Sequence, residues 1–246
     1  MRLATIEDRA WIESVCNNPA IRLWVHCDGA APCNALPYLT PPSFSVVGEE
    51  GCFLGQCLEP GRYAVHTNIM PGYRGSKAIR AAEEALAIAF LSRDATELVT
   101  MVPQVIPHAK LVARAVGFHQ RFTRHRAWPV DGQLYSIDFL SLSIDDWILR
   151  GRCVSAGEAF HARLHGELGQ PAHGHDFVHD CYVGAAVEMV RHGQPKKAVA
   201  VYNRWARFAG YQPVKIVSDH PLRIDIRQCV IKVEEDQFTI EEALHA

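Results

Sequence analysis

The 246-residue chain has no run of Lys and Arg, no charged-then-apolar leader at its start, and no apolar stretch of membrane-spanning length. Its 25 basic and 27 acidic residues leave a formal net charge of −2, which gives no electrostatic footprint for nucleic acid or an anionic membrane. The eight cysteines include no Cys-x-x-Cys pair, and the His-Glu-x-x-His order of metalloproteases is missing. Internal repeats and low-complexity linkers are also lacking. These absences predict a protein that stays in the cytoplasm, or in a particle assembled there, with reduced and largely buried thiols. Cys27 with Cys33, and Cys52 with Cys57, are the pairs close enough in sequence for a disulfide.

What remains is the composition of a folded globular protein, 48% hydrophobic and 21% charged. Its length suits one domain of about 150 residues with a smaller partner. The pattern is densest between Arg62 and Phe118. Tyr63, Val65 and Ile69 alternate as in a half-buried strand. Pro71-Gly-Tyr-Arg-Gly-Ser-Lys-Ala78 is a glycine-containing turn. Ile79, Ala82, Leu86, Ala89 and Phe90 repeat with the period of a helix. Glu97–Pro103 reads as the next strand and Ala109–Phe118 as the next helix. A turn with Gly72 and Gly75 that opens a helix brings backbone N–H groups to one corner, which suits a phosphate or pyrophosphate.

Upstream, the spacing predicts a short strand and a helix over Arg2–Leu23, capped by Thr5 and interrupted at Asn17-Asn18-Pro19. A loop follows over residues 26–43, then a strand pair, Phe44–Val47 with Cys52–Leu58. Downstream, Gln120–Trp128 and Leu134–Leu142 flank a Pro129–Gly132 turn. Arg121, Arg124, His125 and Arg126 form a basic group there, either a solvated face or a contact for phosphates or an acidic partner.

Strand, Tyr-Arg-Gly turn and long helix resemble the acetyl-CoA-binding core of the GNAT (GCN5-related N-acetyltransferase) superfamily, in its Arg-Gly-x-x-Ala variant. The resemblance extends to Met1–Arg9, Ala115–Phe118 and Leu134–Trp147, about residues 1–148. It implies an α+β fold, a central twisted mixed sheet flanked by helices. It also implies acetyl-CoA as acyl donor and an amine as acceptor. Arg74, Gly75, Ser76, Lys77 and Ala78 would hold the pyrophosphate, and Ile69 and Met70, at the edge of splayed strands, would receive the pantetheine arm. Lys77 and Ile79 stand where the family pattern has small residues. The fourth-helix places for an Asn and a thiolate-protonating Tyr hold Ile106 and Ala113. No carboxylate lies between Tyr63 and Met70, so His66 is the candidate general base. The alternative reading is an inactive fold kept for assembly with protein partners, for example as a tailed-phage virion component, since proteins resembling this variant occur in such genomes.

Residues 151–246 are expected to form a second α+β domain after a first domain of 1–150, helices first and strands after. Helices are predicted over Val154–Leu168, His175–His192 and Pro195–Ala209, then short strands and a terminal extension from Phe238. His161 and His165 on one helix, with His175 and His179 on the next, have the spacing to offer four imidazoles to zinc or iron. The alternative is His–Asp pairing across a helix–helix interface without an ion. Tyr202, Trp205 and Phe208 form a stripe suited to a core or a homo-oligomer contact.

Overall fold

The computed structural model describes residues 1–150, 177–211, 213–219, 222–226, 229–234 and 237–242. The chain divides into two units, Met1–Asp146 and Trp147–Ala246.

In the first unit a mixed seven-stranded sheet carries helices on both faces. Strand β1 (Arg2–Leu3) leads through a short 3-10 turn to α1 (Arg9–Cys16) and α2 (Pro19–Val25). The Thr5 cap is present: the Asp8 carboxylate accepts the Thr5 backbone N–H at 2.8 Å. Asn18 caps α2 and Pro19 fills its first turn, which is why the predicted single helix is two. The stretch predicted as loop holds one helical turn, α3 (Leu36–Leu39). There follow β2 (Phe44–Gly48), β3 (Gly51–Glu59), β4 (Arg62–Ile69), α4 (Ser76–Ser92), β5 (Glu97–Pro103), α5 (Pro107–Ala115), β6 (His119–Val130), β7 (Gln133–Ser143) and α6 (Ile144–Ile148). The strand order is β1-β2-β3-β4-β5-β7-β6. All pairs are antiparallel except β4 with β5.

Strand alternation assigns the two faces. The front is covered over β2–β4 by α1–α3, where Ile12, Val15, Cys16, Ile21 and Ala35 pack on Val47, Cys52 and Leu54. The back takes α4, whose buried Ala78, Ala81, Ala82, Ala85 and Ala89 repeat at threes and fours and let helix and sheet approach closely. Tyr63 points to this face, its ring 5.1 Å from that of Phe44 and its hydroxyl donating to Asp94.

One charge lies inside the back layer. The fully buried Asp138 carboxylate of β7 accepts from Lys110 of α5 at 2.5 Å, Thr123 at 2.6 Å, Gln120 at 3.0 Å and Gln104 at 3.1 Å. Burial alone would raise its pKa; these donors outweigh it and hold the carboxyl below its ordinary value. It joins β6, β7 and the start of α5 in one polar cluster.

Cys16, Cys27, Cys33, Cys52, Cys57 and Cys181 are free thiols. The sulfurs that meet are not the sequence neighbours: Cys16 and Cys52 lie 3.6 Å apart in the front core.

In the second unit, α7 (Phe177–Arg191) packs on α8 (Pro195–Ala209), and Gly210 ends α8 in the left-handed conformation. Asn203 then grips Val214 through both its backbone N–H and carbonyl, each at 2.7 Å. Strands β8 (Lys215–Asp219), β9 (Leu222–Ile226), β10 (Cys229–Glu234) and β11 (Gln237–Glu242) form an antiparallel sheet in the order β11-β10-β9-β8. The expected terminal extension is thus a fourth strand. The helix expected over Val154–Leu168 lies outside the described residues.

Candidate functional site

β4 and β5 run side by side for only three registered pairs, Arg62↔Glu97, Tyr63↔Leu98 and Ala64↔Val99. One more contact follows, in which the Thr100 hydroxyl donates to the Val65 carbonyl at 3.0 Å. Beyond it both strands continue, to Ile69 and Pro103, without registered pairs between them. Alternation turns the backbone of Thr67 and Ile69 to the same side as Val65, into this gap.

The chain then crosses the mouth of the gap. Pro71–Tyr73 form a 3-10 turn, Arg74 is extended, and Gly75 takes φ 68°, ψ −133° before α4 begins at Ser76. A residue with a Cβ rarely adopts that conformation, although a Cβ there would meet nothing within 4 Å. Gly75 sits at the N-cap, so no side chain caps α4, and its carbonyl accepts only from Ile79 at 3.2 Å. The first-turn amides of Ser76, Lys77 and Ala78 are left at an exposed helix start, with the partial positive charge of the helix behind them.

Lys77 turns toward Tyr73. Its ammonium lies 5.4 Å from the Tyr73 ring centroid. Ala78 is buried where only a small side chain fits, and Ile79 is half-buried. Arg74 is exposed at the rim, close enough to His108 of α5 that, after burial, its charge is the second cause lowering that histidine's pKa.

On the front face, His66 lies opposite Leu54, its ring 6.1 Å from that of Tyr38 in an edge contact. Burial, and then the neighbouring His26, push its pKa below 6.5, so the imidazole is neutral at pH 7 and free to take a proton. Tyr38 is shifted upward by burial and by the Cys33 and Cys16 thiols, and remains a protonated donor. Met70 turns to this face as well and packs against the apolar cluster under α1.

No family model matches the chain, and no curated protein matches it in sequence. Solved structures do. A spermidine N-acetyltransferase from Vibrio cholerae, solved in complex with CoA and spermine, superposes with a TM-score of 0.51 at 13% identity, over 60% of this chain and 96% of that one. Mutant forms of the spermidine/spermine N-acetyltransferase of the same organism give 0.51 at 13% identity, over 61% of this chain and 96% of theirs. The chain carries the GNAT acetyltransferase fold. At this identity the likeness concerns the fold alone.

Within that GNAT fold, the turn residues Arg74, Gly75, Ser76, Lys77 and Ala78 come together at one end of the gap, Ile69 lines it, and His66 stands on the front. Tyr38 is what sequence reasoning missed. It lies in a proline-rich loop with no periodicity, and only the folded chain brings it to His66. Ile106 is the buried residue before α5 and Ala113 lies on that helix, so α5 offers neither an amide side chain nor a phenol at those places.

The proposed metal ligands are divided. His161, His165 and His175 lie outside the described residues. His179 is buried, with Nε2 3.1 Å from the Tyr202 hydroxyl and its ring stacked on Tyr211 at 4.5 Å. Among the described residues no group of three His, Cys, Asp or Glu is placed to hold a metal ion, and no helix is long and apolar enough to cross a membrane. Tyr202 belongs to the core, as its stripe suggested, whereas Phe208 is 90% exposed.

Proposed function

We propose that this protein is an N-acyltransferase that takes acetyl-CoA as donor and a primary amine as acceptor. The observation that carries the reading is the gap between β4 and β5 together with the uncapped start of α4 at its mouth. The pyrophosphate sits on the amides of Ser76, Lys77 and Ala78 with Arg74 beside it. The pantetheine arm enters between the strands, bonding to the ladder-free backbone of Thr67 and Ile69. α4 lies on the back face, so a donor anchored at its start and threaded through the gap presents its thioester to the front, where His66 is.

The amine nitrogen attacks the thioester carbonyl carbon there, forming the C–N bond. The gap-facing backbone N–H groups stabilise the oxyanion, and the C–S bond breaks to release the CoA thiolate. Neutral His66, directly or through water, takes the proton the amine loses, and the thiolate is protonated from solvent.

A second reading, a GNAT fold retained for assembly, is favoured by Ile106 and Ala113. Calorimetric titration with acetyl-CoA separates the two. Micromolar binding that Arg74→Glu weakens about tenfold supports the acyltransferase, and no heat up to millimolar acetyl-CoA overturns it.

A further inference from the structure

The acceptor's chemistry is written on the front face beyond the gap. Alternation turns Met101 of β5 to the front, as it does His66 of β4 across the gap, and the row from Met101 runs on through Phe139 to Phe122. Met101 is 44% exposed and Phe122 56% exposed, and the rings of Phe122 and Phe139 stack at 4.4 Å. An apolar strip therefore leads from the place where a thioester would emerge to the edge strand β6.

The far end of the strip is cationic. Arg121 lies on this face, its Nε donating to Ser141 at 2.6 Å. Arg124 follows Thr123, whose hydroxyl turns to the back toward Asp138, so alternation puts Arg124 on the front beside Phe122. Neither arginine has a carboxylate partner among the described residues, and both are exposed. Glu13 pairs with Arg9 and accepts the Ala35 amide, and Glu97 pairs with Arg62.

We propose that the acceptor is an amine joined through an apolar spacer to a carboxylate, the amine at His66 and the carboxylate on Arg121 and Arg124. From β4, which carries His66, to β6 is three strand spacings, about 14 Å before the reach of the side chains, so amine and carboxylate sit at opposite ends of the molecule rather than on one carbon. This rests on the acyl-transfer reading for the amine's role, and on the front face alone for the recognition. The bidentate fork of a guanidinium suits a carboxylate, and a half-exposed aromatic pair suits a flat spacer.

The test uses the full chain and para-(aminomethyl)phenylacetate, with its primary amide and spermidine as comparisons, titrated by calorimetry without coenzyme A. The acid is expected to bind about tenfold tighter than the amide, the difference two charge-assisted bonds produce. Arg121→Gln/Arg124→Gln should erase that preference while leaving the melting temperature and amide binding unchanged. Equal affinity for acid and amide, a preference that survives the double substitution, or tighter binding of spermidine overturns the proposal. A parallel acetyl-CoA titration keeps the two questions apart. Silence there sinks the acyl-transfer reading, whereas the acid-over-amide preference stands or falls on its own.

Discussion

The Thr100 hydroxyl bonds to the Val65 carbonyl at the point where β4 and β5 part. Its side chain replaces a ladder bond and satisfies the last carbonyl before the gap, so the divergence begins at a defined residue rather than by fraying.

At the mouth of that gap, Gly75→Ala introduces no clash but forces an L residue into a region that costs about 1–3 kcal/mol. Urea denaturation should show that loss. Calorimetry should show acetyl-CoA affinity falling at least about tenfold, because relaxing the strain re-aims the α4 amides. An unchanged affinity would separate the turn from donor binding.

His66→Gln keeps a polar side chain and removes the base. kcat should fall by about 10²–10⁴ with KM for acetyl-CoA unchanged. In the wild type the acidic limb of kcat/KM should inflect below 6.5, since burial and then His26 lower the pKa, and the limb should vanish in the variant. The sign for stability agrees. The unfolded chain takes up the proton first, so the fold loses stability as pH drops through 6.5 toward the folded value.

Asp138→Asn leaves Lys110 facing an amide. The expected cost is about 3 kcal/mol near neutrality, the scale of a broken buried pair. The native carboxyl titrates below 3.8, so its contribution is complete above 3.8 and is lost as pH falls through the folded value. Wild type and variant should therefore converge in urea midpoint as acid is added; a constant difference would mean the charge contributes nothing.

In the second unit, Tyr202→Phe deletes the buried hydroxyl that meets His179. A loss of about 1–3 kcal/mol in thermal unfolding is expected from removing the buried hydroxyl–imidazole hydrogen bond. No loss would mean that the hydroxyl–imidazole contact contributes nothing to stability.

Much of the fold was legible because periodicity survives in single residues. Alternation at Tyr63 and Val65, the alanine repeat of α4, and the Pro195 and Gly210 brackets of α8 each fixed an element by local chemistry. The proposed site was legible where backbone conformation defines it, as at Gly75. It was not legible where distant segments converge. Tyr38 reaches His66 across loops with no pattern, Cys16 meets Cys52 instead of Cys57, and the Asp138 cluster gathers donors from β6, α5 and the end of β5. Sequence spacing carries i, i+2 and i, i+4 neighbours, and none of these contacts is of that kind.

Asp28 accepts the Asp131 and Gly132 amides at 3.1 and 3.0 Å, and its own N–H donates to the Pro129 carbonyl at 2.9 Å, joining segments about a hundred residues apart in sequence. The loop at Asp28 and the tip of the β6–β7 hairpin are thus a single unit. A lengthened hairpin would have to be matched by a lengthened loop, so the two segments are inherited, or redesigned, only as a pair.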